Sequence, residues 1–370
     1  MNQEIITDKP KRITFIDLTR AYAIIMMVQG HTIDLVLNNK FRINSTLYDI
    51  WEYNRGVTAP LFLFMSGVIF TYLLIRNQKP EGNPRIKKGI KRGLMLIAIG
   101  YALQFNTSLI FNFPQGFNTP NNYAIIVHVL QCIGVGLISL VGLFQLARVT
   151  KLSYFWILII SGLLFLGLQN VVPAMAWLDH IPVFFANFIT PKFGSHFPMF
   201  PFLGYLLLGA AMGSTIQKYQ KFYTSYKFGL SLIIVCAFGL FISYVALPPI
   251  RNPYLYYHPN NSLPNLIMFD RIWVVGVIIG IFSLISVKFT NINPFLLTMG
   301  KNTLWIYVVH HFILYYTLFI PGPVIYFFQN KLDPWQSVFC ALGVLVLVLT
   351  LLYVYTKLVK KYHPKYLKLK

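Results

Sequence analysis

Residues 335–358, which read WQSVFCALGVLVLVLTLLYVYTKL, decide the fold class, because Lys357 is the only charged residue among them. A helix crosses a hydrocarbon core of about 30 Å with about 20 consecutive apolar residues. The whole chain has the same character: of 370 residues, 56% are hydrophobic and 11% are charged. Typical soluble domains have about 25% charged residues. The sequence therefore predicts an integral membrane protein and excludes a soluble enzyme or a disordered chain.

Nine further apolar runs of similar length lie N-terminal to this stretch. The ten predicted spans are near residues 13–37, 57–76, 90–111, 123–147, 154–172, 198–216, 227–247, 271–288, 301–320 and 335–358. We expect an all-α, polytopic membrane protein with about ten transmembrane helices, in which residues 1–370 form a single membrane-embedded domain.

The net charge of +21, from 31 Lys+Arg against 10 Asp+Glu, would indicate nucleic-acid binding in a soluble protein. If ten spans alternate across the bilayer, however, 23 basic residues fall on one side and seven on the other, and Arg20 lies within the first span. Basic connectors remain on the cytoplasmic side. We therefore expect both termini in the cytoplasm and no nucleic-acid partner.

The first span carries four ionisable residues: Asp17, Arg20, His31 and Asp34. At 100° per residue they share one stripe about 100° wide, with about 16 Å of helical rise between Arg20 and His31. Ionisable residues within a span mark function by default, so the stripe could line a pore through most of the membrane. Alternatively, Asp17 and Arg20 neutralise each other, and His31 bonds to a neighbouring helix.

Histidine can act as a general base when its neutral ring is held in one tautomer. Asp34 follows His31 by one helical turn, so it could supply the orienting hydrogen bond. His310 and His311 are adjacent and point about 100° apart on a helix, and neither His-Glu-x-x-His nor paired Cys-x-x-Cys occurs. We therefore predict no metal site.

The connector before the third span is unusually basic, with Arg85, Lys87, Lys88, Lys91 and Arg92 within eight residues. Such a cluster could hold several phosphate groups if it faced a cavity. The alternative is an ordinary cytoplasmic flank of a span, in contact with anionic lipid.

RITFIDLTR at 12–20, followed by HTID at 31–34, resembles the opening of the transmembrane acyltransferases related to heparan-α-glucosaminide N-acetyltransferase, in particular the bacterial members. The pattern of arginine, ten residues and histidine is also shared with the membrane acyltransferase-3 group. Further similar segments follow in order: PLFLFMSG at 60–67, LQCIG at 130–134, FPMFPFLG at 197–204 and GKNTLWIYVVH at 300–310. The resemblance covers about residues 12–320.

This resemblance implies transfer of an acyl group, usually acetyl, from cytoplasmic acyl-coenzyme A to a sugar or glycan on the far side of a bacterial inner membrane. His31 matches the essential histidine of the motif, and Arg20 matches its arginine. The lysosomal branch has an asparagine at the position of His31, so its substrate specificity is not transferred to this chain. A homodimer is also compatible with the resemblance.

On this interpretation the basic connector binds the phosphates of acetyl-coenzyme A, and the pantetheine arm passes Arg20 to bring the thioester to His31. His31 would be the general base, oriented by Asp34, while Arg20 and Asp17 organise the tunnel. An acyl-histidine intermediate is the alternative mechanism.

Four other polar residues are candidates for pore lining or for oxyanion donors, although each could form only an interhelical hydrogen bond. They are His128, Gln131, Asn302 and His310. The competing function is a multi-pass transporter of a sugar, a lipid-linked precursor or a proton-coupled solute, in which the charged stripe would relay protons.

Overall fold

The computed structural model describes residues 13–76, 82–105, 123–246, 267–289, 291–315 and 322–362. Every regular element within these ranges is helical, and one isolated backbone bridge joins Leu37 to Leu332. The all-α prediction is therefore confirmed. Both chain termini, and the predicted span segments at 106–111 and 316–320, lie outside the described residues.

Twelve helices of the described ranges are labelled in chain order. They are α1 (Thr14–Val36), α2 (Thr46–Arg76), α3 (Pro84–Gln104), α4 (Val129–Thr150), α5 (Tyr154–Gly167), α6 (Met199–Thr215), α7 (Tyr226–Ala246), α8 (Ile267–Lys288), α9 (Pro294–Lys301), α10 (Thr303–Leu314), α11 (Pro323–Phe328) and α12 (Pro334–Tyr362). Each of the ten predicted spans overlaps one of these helices. The short helices α9 and α11, which flank α10, fall outside those spans.

Five helices are long and apolar enough to cross a bilayer: α2, α4, α7 over Tyr226–Ser243, α8 over Asp270–Lys288, and α12 over Pro334–Val359. Three apolar helices, α5, α6 and α10, are shorter, with 14, 17 and 12 residues. The other two helices that overlap predicted spans, α1 and α3, have 23 and 21 residues, but their charged residues lower their hydropathy. The count of ten crossings and the side of the termini stay predictions.

Helix α1 lies at the centre of the bundle, where it contacts α2, α8, α9, α10, α11 and α12. Glycines allow the closest helix pairs to approach. A Cβ at Gly67 of α2 would collide with the Leu206 carbonyl oxygen of α6, and a Cβ at Gly300 of α9 would collide with the Asp17 carbonyl oxygen. The second of these contacts places the backbone of α9 directly against α1 at Asp17.

The two ends of α1 define two ends of the bundle. At the Arg20 end, Asn83 Nδ2 donates to the Leu74 carbonyl oxygen at 2.7 Å, so the start of α3 lies beside the end of α2. At the His31 end, the Leu332 amide donates to the Val36 carbonyl oxygen at 3.0 Å, so the start of α12 lies beside the end of α1. The Arg20 end thus holds the starts of α1 and α3, and the His31 end holds the starts of α2 and α12.

Candidate active site

Helices α1 and α10 lie side by side and point the same way, with a polar contact at each end. At one end, Arg20 Nη2 donates to Thr303 Oγ1 at 2.8 Å. At the other, Tyr315 Oη forms a hydrogen bond with His31 Nδ1 at 3.2 Å. The helical rise separates Arg20 from His31 by about 16 Å. We call this contact between the two helices the α1–α10 seam.

The middle of the seam is apolar and packed. Ile24 and Met27, which continue the stripe between Arg20 and His31, are 1% and 8% exposed. Arg20 and His31 themselves retain intermediate exposure although protein surrounds them. The stripe is therefore packed at Ile24 and Met27, between its two polar ends.

Three histidines meet at the His31 end of the seam. The ring centroids of His31 and His310 lie 5.7 Å apart, and the ring of His311 lies 5.1 Å from that of Tyr315. The rings of His310 and His311 are nearly perpendicular, at 86°. Adjacent positions on α10 therefore place both imidazoles around the His31–Tyr315 pair, which the sequence argument did not anticipate.

A second histidine pair approaches from another part of the fold. The rings of His128 and His196 lie 5.0 Å apart, and His128 interacts electrostatically with His31. Two bonds to Val127 hold the loop of His196 in place: the Val127 amide donates to Ser195 Oγ, and the Phe197 amide donates to the Val127 carbonyl oxygen, both at 3.0 Å.

These five residues form the histidine cluster, whose members are His31, His128, His196, His310 and His311. Burial lowers the pKa of His196, the member that lies in a connecting loop, so its imidazole is neutral at pH 7. Within the described ranges, no group of three His, Cys, Asp or Glu side chains is arranged to hold a metal ion. The cluster therefore offers hydrogen-bonding and proton-accepting nitrogens.

The predicted hydrogen bond from Asp34 to His31 is wrong. Both carboxylate oxygens of Asp34 bind arginines instead: Oδ1 lies 3.1 Å from Arg42 Nη1, and Oδ2 lies 2.8 Å from Arg55 Nη1. A guanidinium forms a charge-assisted hydrogen bond, which is stronger than a bond to an uncharged imidazole. The carboxylate of Asp34 therefore binds the arginines instead of His31. The orienting partner of His31 is Tyr315.

Asp17 and Arg20 lie together at the Arg20 end. The two interact favourably, and Arg92 from α3 adds a second positive charge near Arg20. Arg85 in turn interacts with Arg92. The structure therefore arranges three arginines in sequence, from the first turn of α3 to the start of the seam.

The basic cluster occupies the first three turns of α3 at the same end. Arg85, Lys88 and Arg92 share one helical face, whereas Lys87 and Lys91 lie on another. Four of the five are exposed, and Arg85 is half-buried. Among the described residues, none of the five forms an ion pair with an acid, so their charges are available to an anion.

Two of the four polar residues predicted to line the pore or to donate to an oxyanion form hydrogen bonds to a neighbouring helix instead of facing His31. Gln131 is fully buried between α3 and α4, where its Nε2 donates to Gln104 Oε1 at 3.2 Å. Asn302 joins α9 to α10, and its Nδ2 donates to the Thr298 carbonyl oxygen at 2.9 Å. The other two candidates, His128 and His310, belong to the histidine cluster.

Sequence reasoning missed Tyr315 and Thr303 as partners of His31 and Arg20. A signal was present, because Thr303 and Tyr315 have nearly the same spacing along the chain as Arg20 and His31. That signal is visible only once α10 is known to pack parallel to α1.

The fold and this site define an all-α membrane protein with an arginine and a histidine at opposite ends of a central seam. The chain belongs to the heparan-alpha-glucosaminide N-acetyltransferase catalytic family, whose model matches residues 12–246. This family membership indicates a membrane acetyltransferase. No individual curated protein gives a significant match. Because the match ends at residue 246, Thr303, His310 and Tyr315 complete the site from outside the matched region.

Proposed function

We propose that this protein transfers an acetyl group from cytoplasmic acetyl-coenzyme A to an amine or hydroxyl of a sugar or glycan at the opposite membrane face. The observation that carries the proposal is the position of His31, which Tyr315 at the end of α10 holds within the histidine cluster in a chain of this acetyltransferase family. Residues 1–370 would form one catalytic unit in the plasma membrane of a bacterium. A homodimer is compatible with this unit and is not required by it.

The donor binds at the Arg20 end in this proposal. Coenzyme A carries several phosphate charges, and the cations of α3 are exposed and without acidic partners in the described structure. The excess of basic residues at this end supports a cytoplasmic location, since positive connectors stay on that side. Arg20 would then hold the pantetheine arm at the start of the seam.

The length of the seam fits the donor. An extended pantetheine arm is about as long as the roughly 16 Å that separate Arg20 from His31 along α1. Ile24 and Met27 pack in the middle of the seam, and Met27 is unbranched, so a change of its rotamer would be the smallest movement toward opening a path. The thioester carbon would arrive beside His31.

The chemistry at His31 depends on its tautomer. If Nδ1–H donates to Tyr315 Oη, then Nε2 has a free lone pair and can accept a proton. The acceptor nitrogen or oxygen attacks the thioester carbonyl and loses its proton to His31 Nε2. The C–S bond then breaks, and the coenzyme A thiolate takes that proton.

A two-step route uses the same residues. His31 Nε2 would attack the thioester carbonyl itself, form an acyl-imidazole and release the thiolate; the acceptor would then attack the acyl carbon, the bond from that carbon to Nε2 would break, and the acceptor's proton would pass to the thiolate. His31 accepts the acceptor's proton in the one-step route and bonds to the acyl carbon in the two-step route. In both, Tyr315 positions His31, and Asp34 stabilises the neighbouring arginines. His128 and His310 border the acceptor side.

The test is acetyl-coenzyme A turnover by the purified protein with an amino sugar as acceptor. Wild type should release free thiol in the presence of the acceptor, and His31→Ala should abolish this release while still binding the donor by calorimetry. Unchanged turnover in His31→Ala would show that His31 takes no part in the reaction. No donor binding in either protein would favour the transporter.

A further inference from the structure

A groove of about 530 Å³ opens on the outer surface of the bundle between α10, α11 and α12. Its volume lies within the range of about 300–1,000 Å³ typical of small-ligand sites. The α12 side is a single helical face, whose lining residues are Gln336, Phe339, Cys340, Gly343, Val344 and Leu347. From Gln336 to Leu347 the groove follows α12 for about 16 Å, close to half of a hydrocarbon core.

The groove has a buried floor and a rim that faces the bilayer. Val324 and Val344 on the floor are each 6% exposed, whereas Phe339 on the rim is 68% exposed. An ideal Cβ built at Gly343 meets no atom within 4 Å, so the groove is open space at this residue. Because α12 is long and apolar enough to span a membrane, we expect lipid chains around this opening.

The polar end of the groove lies at the His31 end of the bundle. Gln336 is in the first turn of α12, which the bridge between Leu37 and Leu332 joins to the end of α1. Below Gln336 the lining is apolar. A molecule that matches this pattern has a polar group level with His31 and a hydrocarbon chain that runs toward the middle of the bilayer.

One wall of the groove is directly connected to the residue that positions His31. Ile313 lines the groove and precedes Tyr315 by two residues, and the Gly322 amide donates to the Tyr315 carbonyl oxygen at 3.0 Å. The groove and the active site are therefore the two sides of the same short segment at the end of α10.

We infer that this groove holds the hydrocarbon chain of a lipid-linked acceptor, so that the amino sugar reaches His31 from the bilayer. This inference rests on the proposed acetyl transfer and names its acceptor class. A hydrocarbon chain gains little affinity on moving from lipid into an apolar groove, because lipid tails are as apolar as leucine. The groove therefore acts by positioning, and it restricts the sugar to the plane of His31.

The test fills the groove without disturbing the fold. Gly343→Leu places a side chain in open space, and a helical leucine is better tolerated than glycine. Gly142→Leu on α4 is the matched control, since its Cβ also meets nothing within 4 Å. Both variants and wild type are reconstituted in nanodiscs and given acetyl-coenzyme A with a long-chain alkyl glucosaminide or with methyl glucosaminide.

Wild type should prefer the long-chain glucosaminide by about tenfold in kcat/KM, because the groove positions its sugar level with His31. Gly343→Leu should lose that preference while its turnover of methyl glucosaminide stays unchanged, and Gly142→Leu should keep it. Equal use of both acceptors by wild type, or an unchanged preference in Gly343→Leu, would overturn the inference.

A binding measurement separates this inference from the proposed function. A long-chain glucosaminide with a photoreactive group in its chain should label α12 without acetyl-coenzyme A, and Gly343→Leu should reduce that labelling. If transfer fails in wild type but this labelling holds, the proposed function is wrong and the groove assignment survives. The assignment would be overturned if a photoreactive phosphatidylcholine labelled α12 as strongly as the glucosaminide did. It would also be overturned if the only crosslinks found joined two copies of the chain.

Discussion

The two ends of the α1–α10 seam have opposite chemistry. At the Arg20 end, the exposed lysines of α3, together with Arg85 and Arg92, present positive charge, and in the described structure none of them forms an ion pair with an acid. At the His31 end, imidazoles and a phenol are packed together, and the nearby charges of Asp34, Arg42 and Arg55 bind one another. Cations without an acidic partner attract an anion, whereas the ion pairs around Asp34 leave the imidazoles as the proton-accepting groups of the His31 end.

In the proposed mechanism, the Arg20 end binds the donor and the reaction occurs at the His31 end. The apolar residues Ile24 and Met27 separate the two ends, so the proposed donor would span them. A substitution at the His31 end should therefore lower kcat, and one at the Arg20 end should mainly weaken donor binding. The following variants test this division, from the largest expected effect to the smallest.

Replacement of His31 should have the largest effect. His31→Ala should lower kcat by about 10²- to 10⁴-fold, the usual contribution of a general base, with donor affinity unchanged. Stopped-flow or steady-state detection of free thiol measures this loss. His180→Ala is the control, because His180 is exposed in a loop and belongs to no contact of the seam. A similar loss in His180→Ala would show that the effect is not local.

Tyr315 and Asp34 give the sharpest contrast within the His31 end. Tyr315→Phe keeps the ring beside His311 but removes the bond to His31, so kcat should fall about tenfold, and its pH dependence should shift. Asp34→Asn should lower kcat by less than about threefold while it reduces stability by about 1 kcal/mol through its arginine contacts. The reverse ranking of the two variants in kcat would restore Asp34 as the orienting group.

The basic cluster should affect affinity and not chemistry. Lys87→Ala combined with Lys88→Ala should raise the Kd for acetyl-coenzyme A by about fivefold at low salt, and added salt should reduce this difference. Titration calorimetry at two ionic strengths measures both effects. Lys218→Ala with Lys221→Ala removes equal charge elsewhere and should change nothing. Equal donor affinity in the two double variants would indicate that the basic cluster is only the cytoplasmic flank of a membrane span.

The smallest effect is expected at Thr303. Thr303→Val removes the hydroxyl that accepts from Arg20 and should raise the KM for the donor by about two- to fivefold. Thr303→Ser keeps the hydroxyl and should restore wild-type kinetics. An identical loss in both variants would indicate a packing effect of the methyl group and not a role of the hydrogen bond.

The sequence predicted the all-α class, a helix within each of the ten apolar segments, and the common stripe of Arg20 and His31, because each depends on local hydrophobicity or on helical periodicity. It failed where distant residues compete for a partner. Asp34 is one turn from His31, yet it binds arginines from outside α1, and Tyr315 reaches His31 across 284 residues of chain. Such choices depend on which helices become neighbours, and local spacing carries no information about that.

The central claim is that the donor binds at one membrane face and the acceptor is acetylated at the other. Proteoliposomes with acetyl-coenzyme A sealed inside and a membrane-impermeant amino sugar outside test it directly. Wild type should form acetylated sugar outside and free thiol inside, and His31→Ala should form neither. Product formation only when donor and acceptor share the same side would contradict it.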